Sequence, residues 1–241
     1  MKNKCWKKVI CTGLALALVL GGALWYAAGR RVTAFRPARM PDTVFVIDAG
    51  HGGEDGGAVS VTGVPESGVN LAIALKLDAL MGFYGLESML LRDTDTSLHD
   101  AGAKTLREKK VSDLHNRVDR IEAVQNATLV SIHQNTFPNG GYHGAQVFYA
   151  NGELSLPLAA RVQDALRDGL DPANRRTPAK IPSSVYLMNH ITCPAVLIEC
   201  GFLSNPAEEA LLLSGGYQTK LAACIASALI ARDSGGDRVP Y

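Results

Sequence analysis

Acidic residues are missing from the first 39 positions, which carry eight bases (Lys2, Lys4, Lys7, Lys8, Arg30, Arg31, Arg36 and Arg39). The +1 balance of the 241-residue chain therefore conceals a segregation: beyond Arg39 stand 16 bases against 23 acids. A folded part with that deficit of positive charge lacks the basic footprint of a nucleic-acid binder. Tryptophan is missing there too, because Trp6 and Trp25 both precede it. No C-x-x-C pair occurs, and Cys193, Cys200 and Cys224 are an odd set, so the five cysteines make no disulfide framework and read as buried free thiols. No cysteine follows the N-terminal apolar run where a lipid would be attached. Internal repeats, low-complexity tracts and an appended binding module are absent as well. At 47% hydrophobic and 20% charged, the chain is not a disordered one.

What is present begins with a charge-free stretch from Val9 to Gly29, 21 residues long, behind four lysines. That length suits a membrane-crossing helix, and Trp25-Tyr26 suits an interfacial belt. A cleaved signal peptide is the other reading of a basic segment followed by an apolar run. Residues 1–30 are thus expected to be a signal-anchor or signal peptide. Residues 31–42, with Pro37 and Pro41, read as a juxtamembrane linker, 43–232 as one catalytic-sized domain, and 233–241 as a tail. Within the domain, strand-like runs at Thr43–Asp48, Leu86–Leu91, Thr128–His133, Ala145–Ala150, Ser184–Met188 and Ala195–Cys200 alternate with helical patterns. The helices are expected at Glu66–Met81, Ser112–Asn126, Leu156–Leu170 and Tyr217–Arg232. Near-continuous apolar strands between helices predict an α/β domain, a twisted sheet, mostly parallel or mixed, with helices on both faces.

Three apolar strands end in ionisable residues: Val44-Phe45-Val46-Ile47 in Asp48, with His51 just beyond, Leu129-Val130-Ser131-Ile132 in His133, and Ala195-Val196-Leu197-Ile198 in Glu199. Ligands of open α/β sheets bind beyond the carboxyl ends of the strands. Two histidines and a glutamate are the protein ligands of a catalytic zinc that keeps its fourth position for water. Two further glutamates compete for the third ligand position. Glu54 makes an H-x-x-E with His51, whereas Glu66 opens the next helix, where the helix dipole also favours a carboxylate. Spacing leaves that choice open. Arg117 and Asn126 read either as supports of the site or as structural residues, and a place on a helix favours the structural reading. His99 and His115 read as exposed, and His143 and His190 as loop residues that could reach a cleft.

Several ordered motifs together resemble one family. They are Asp48-Ala49-Gly50-His51-Gly52-Gly53-x-Asp55-x-Gly57, Glu66 with Asn70, Ser131-Ile132-His133-Gln134-Asn135, and Ile198-Glu199-Cys200-Gly201-Phe202-Leu203-Ser204-Asn205. From Thr43 to about Arg232 the chain is similar to the zinc-dependent N-acetylmuramoyl-L-alanine amidases of the AmiC/CwlV type, and Asp93–Arg117 is more like the spore-cortex, CwlD-type members. The resemblance implies Zn2+ bound by His51, Glu66 and His133, with Glu199 as the catalytic carboxylate; Glu54 falls where the family varies. It implies hydrolysis of the amide between the lactyl group of N-acetylmuramic acid and L-alanine. The implied partners are peptidoglycan strands with stem peptides, the membrane through the N-terminal helix, and an activating or targeting protein, on the outer face of a bacterial membrane. With no tryptophan in the domain, Phe137 and Tyr142 are the nearest aromatic side chains for sugar stacking. The rivals are a wall carboxypeptidase using His51, Glu54 and His133, and a catalytically silent wall-binding protein.

Overall fold

A computed structural model describes residues 43–150 and 152–231. The expected anchor at 1–30, the linker at 31–42 and the tail at 233–241 lie outside the described residues. Among those described, no helix is long and apolar enough to cross a membrane. In chain order the elements are β1 (Val44–Ala49), α1 (Glu66–Phe83), β2 (Ser88–Leu90), α2 (Leu106–Glu122), β3 (Ala127–Asn135), β4 (Gln146–Tyr149), α3 (Ser155–Leu170), β5 (Ala179–Lys180), α4 (Tyr186–Asn189), β6 (Ala195–Phe202), α5 (Pro206–Leu212) and α6 (Gly215–Ile230).

The strands form one mixed sheet in the order β2-β1-β3-β6-β4-β5. β1 runs parallel to β2 and β3, and β3 parallel to β6. β4 is antiparallel to β6 and parallel to β5. The central strands are apolar throughout because both faces are covered. Ile47, Ile132 and Ile198 pack on one side against Ile73 and Leu77 of α1, Val162 of α3 and Ile225 of α6. Val46, Leu129 and Leu197 pack on the other against Ile121 of α2 and Leu187 and Met188 of α4. Each such fully buried aliphatic side chain contributes about 1.5–3 kcal/mol. Between α2 and α4 this second face opens into a cleft lined by Asp48, His51, Arg117, Ser131, His133 and Tyr186.

The expected strand at Ser184–Met188 is instead the helical turn α4. A four-residue apolar run carries no periodicity that separates strand from helix. Here Asn189 closes the turn, donating to the carbonyls of Val185 at 2.7 Å and Pro182 at 3.0 Å. α2 starts six residues before the expected Ser112, at a capping box in which Thr105 and Glu108 satisfy each other's backbone amides. The short helix α5 was not anticipated, although Asn205 caps it and Pro206 occupies its first turn. Cys200 is a buried free thiol as expected, but Cys193 and Cys224 are free and only half-buried.

Candidate metal centre

The strands whose ends carry ionisable groups are neighbours: β1, β3 and β6 lie side by side. Parallel register sets Asp48 beside Ser131, and His133 beside Glu199. His51 comes just after β1, where the Gly50 amide still bonds the Ile132 carbonyl at 3.0 Å. Glu66 is the first residue of α1, which packs on the opposite face, so its buried carboxylate reaches the same point from the helix N-terminus. His51, Glu66 and His133 each offer a ligand atom, and these atoms all lie within 4.8 Å of one another. It is the cluster among the described residues that suits a metal ion, and it contains Glu66 rather than Glu54.

Glu66 is held from all sides. Oε1 accepts from the Gln134 amide at 3.0 Å and Asn70 Nδ2 at 3.0 Å, and faces His133 Nδ1 at 3.1 Å. Oε2 accepts from the Ala58 amide at 2.9 Å and faces His51 Nε2 at 3.3 Å. Burial opposes ionisation, but the hydrogen bonds and charges of His133 and His51 outweigh it and keep the carboxyl far below the usual range. For His51, burial disfavours the charged ring, yet Asp55 and Glu66 together raise it to about 9. The Asp55 carboxylate meets His51 Nδ1 at 3.0 Å, leaving Nε2 turned to the cluster, and Lys110 holds Asp55 in turn at 3.2 Å. A carboxylate behind a ligating imidazole fixes its tautomer and raises its basicity.

His51 sits at φ +63°, unusual for a residue with a side chain. Two buried arginines stabilise this turn through its carbonyls. Arg117 of α2 donates to Ala49 O at 3.1 Å and His51 O at 2.8 Å while pairing with Asp48 and, at 2.7 Å, with Asp113. Arg92, after β2, donates to Ala49 O at 2.8 Å, Gly50 O at 3.1 Å and Ser67 O at 2.9 Å. The sequence left Arg117 between a support of the ligands and a structural residue, and pointed to no role for Arg92 or Asp55. A cation directly behind an apolar strand was the one signal for Arg92. Glycine is required beside these groups: a Cβ on Gly50 would overlap the His133 ring, and one on Gly57 (φ +69°) would stand 2.6 Å from Glu66 Oε2.

Glu199 Oε2 is buried and has no hydrogen-bond partner. Burial raises its carboxyl to about 7, with Glu66 adding to the rise and the charges of His133 and His51 opposing it. A cation held by the neighbouring cluster would pull it lower. Glu54 is displaced from all this: its side chain is 46% exposed and pairs with Lys109 and, at 3.6 Å, with His99. His143 is exposed and outside the cleft, and His190 stacks on Tyr186 at 3.8 Å, which His115 flanks at 5.1 Å. Phe137 and Tyr142 form a ring pair at 4.4 Å, with Tyr142 6.2 Å from Phe202 of β6.

A mixed α/β sheet with a His–Glu–His cluster and an unpartnered carboxylate at its strand ends defines a candidate metal-dependent hydrolase. Residues 45–231 match the Amidase_3 family model, described as N-acetylmuramoyl-L-alanine amidase. The chain is 36% identical over 195 residues to the germination-specific N-acetylmuramoyl-L-alanine amidase of Bacillus subtilis, covering 80% of this chain and 81% of that one. It is similar to the CwlD amidase from Clostridioides difficile, solved in complex with the GerS lipoprotein, at 38% identity and TM-score 0.75, covering 78% of this chain and 96% of that one. The catalytic domain of CwlV from Bacillus (Paenibacillus) polymyxa aligns at 31% identity and TM-score 0.63, over 78% of this chain and 96% of that one. The chain belongs to the N-acetylmuramoyl-L-alanine amidase family, and its activity is that of a peptidoglycan amidase.

Proposed function

We propose that the protein uses zinc, held by His51, Glu66 and His133, to hydrolyse the amide between the N-acetylmuramic acid lactyl group and L-alanine, with Glu199 as general base. The observation that carries this reading is the cluster of two imidazoles and one carboxylate beside the unpartnered Glu199 oxygen. That donor set fits a catalytic zinc with one position left open. Zinc there supplies Lewis-acid polarisation of a carbonyl and a lowered pKa for water. The chain's own groups do the rest. Asp55 orients the His51 ring, and Arg92 and Arg117 hold the turn that carries it. Glu199 accepts the proton of the attacking water as its oxygen bonds to the lactyl carbonyl carbon. It then returns that proton to the alanine nitrogen as the C–N bond breaks. The products are a free lactyl carboxyl group and a stem peptide with a free amino terminus.

The finer reading places this reaction on the outer face of a bacterial membrane, with residues 1–30 as anchor and with a role in spore-cortex maturation. Similarity to a germination-specific amidase and to CwlD supports it. An accessory protein that targets or activates the enzyme is part of the same reading, and the CwlD relative was solved with a lipoprotein bound. Mass spectrometry of digested muropeptides, with and without a chelator, tests the chemistry. Chelator-sensitive release of free lactyl groups is expected. Release of terminal amino acids instead would favour the carboxypeptidase rival.

A further inference from the structure

The cations near the strand ends that carry the cluster are not alike. On the β1 side they are matched by carboxylates: Lys110 by Asp55, and Arg117 by Asp48 and Asp113. On the β4 side stands Arg176, whose hydrogen bonds go only to neutral acceptors. Its Nε donates to the His143 carbonyl at 3.1 Å, its Nη1 donates to Gln146 Oε1 at 2.9 Å, and the guanidinium lies 4.8 Å over the Phe202 ring. Among the described residues no carboxylate pairs with it. The sequence agrees: no acid occurs between Asp171 and Glu199, a stretch that contains Arg175, Arg176 and Lys180.

Gln146 ties this cation to the reacting groups. It is the register partner of Glu199 across β4 and β6, and Glu199 is the partner of His133 across β6 and β3. Directly opposed residues share a face, with Cβ atoms about 5 Å apart. His133, Glu199 and Gln146 thus form one row, and the Arg176 guanidinium stands at its end. One residue spacing plus the Gln146 side chain puts that guanidinium about 7–10 Å from Glu199, the span of two to three extended peptide residues. Held by three contacts and still able to donate, it is preorganised for an anion. On the β1 side each cation is already paired with a carboxylate, so an anion finds its unpaired cationic partner at Arg176, which gives the substrate a direction.

We propose that Arg176 determines specificity by binding a free carboxylate of the stem peptide. This rests on the amidase reading and adds the orientation of the peptide toward β4. In a stem beginning L-alanyl-γ-D-glutamate, the chain continues through the γ-carboxyl group and leaves the α-carboxylate of the second residue free. That anion lies within the span.

The test compares two soluble muropeptides, with the second residue's α-carboxyl free or amidated, on the zinc-loaded full chain. The unaltered protein should favour the free acid in kcat/KM by about 10- to 100-fold, the scale of a hydrogen bond to a charged group, mainly through KM. In Arg176→Gln that ratio should fall close to one, and Arg176→Lys should restore part of it. A protein that does not distinguish the two substrates overturns the proposal. So does a variant that loses turnover on both while keeping the ratio, which is the mark of a structural role. Calorimetric binding of L-alanyl-γ-D-glutamate against its α-amide provides an arm independent of turnover. If neither muropeptide is cleaved but the acid dipeptide still binds better in an Arg176-dependent way, the amidase reading fails and the carboxylate site stands. Equal binding of acid and amide sinks the carboxylate site whatever the turnover.

Discussion

His51 and His133 meet at one point, yet the protein holds them by opposite means. His133 lies within β3, where the ladder to β6 pairs it with Glu199 and Glu66 faces its ring, with no braced turn needed. His51 lies past the end of β1 at a positive φ, and needs Arg92, Arg117 and Asp55 around it. A regular strand positions a side chain through hydrogen bonds it makes anyway. A turn of the same chain does so only when distant side chains satisfy its carbonyls. The centre is therefore rigid on the β3–β6 side by secondary structure, and on the β1 side by buried ions.

The largest expected effect breaks the point where both sides join. Glu66 contacts both rings, so Glu66→Ala should remove metal and activity together. Metal analysis should show a loss beyond the 10- to 100-fold in affinity that outer-shell changes typically cost. Zinc retained at full stoichiometry would sink the ligand assignment. Glu199→Gln probes the strand side next. It keeps shape and position but removes the proton acceptor, so turnover should fall by about 10²-fold or more with zinc content unchanged. Loss of zinc along with turnover would make Glu199 a ligand instead.

The turn side is tested through Arg117. Arg117→Ala strands the Asp48 charge in the core, and removal of one partner of a buried pair costs about 3–5 kcal/mol. Chemical denaturation measures this, and zinc affinity should fall with it because His51 loses its brace. The Asp48–Arg117 pair also sets a pH window. Burial would raise Asp48, but Arg117, His133 and the Ser131 hydroxyl more than offset it and leave the carboxyl below its ordinary 3.8. A carboxyl depressed on folding contributes stability that is present above its unfolded pKa and lost as pH falls through the folded one. The difference in unfolding midpoint between the unaltered protein and Asp48→Asn should therefore be constant near neutrality and shrink below about pH 4. A difference independent of pH would contradict the pairing.

The same asymmetry governs what could be read from sequence. His133 and Glu199 were legible because an apolar strand ending in an ionisable residue is a local pattern, and the parallel sheet turns that pattern into proximity. The placement of His51 was legible from its glycine-rich motif. The choice of Glu66 over Glu54 was not legible from spacing, and came from resemblance. Arg92 was not legible as a support and Arg117 only as one of two readings, since both act on backbone carbonyls far away in the chain and leave no periodic trace. Among the elements, Thr105-x-x-Glu108 and Asn205-Pro206 were readable helix starts that went unused. The two residues of β5 are too few for any pattern, and Val185–Met188 suits either strand or helix.

The smallest expected effect belongs to Glu54, the carboxylate of the H-x-x-E spacing. Glu54 is three residues from His51 in the chain, but its side chain turns outward to Lys109 and His99 on the solvent side. Exposed ion pairs are screened and contribute little. The Lys109 contact, with a backbone hydrogen bond and the charge of His99, holds the Glu54 carboxyl below its usual range. Glu54→Ala should leave zinc stoichiometry, muropeptide turnover and product identity as they were, the reverse of Glu66→Ala under identical conditions. Run side by side, the two alanine variants separate a ligand chosen by distance in space from one suggested by distance in sequence. Metal lost from the Glu54 variant and kept by the Glu66 variant would move the third ligand to the loop and revive the carboxypeptidase-like arrangement of His51, Glu54 and His133.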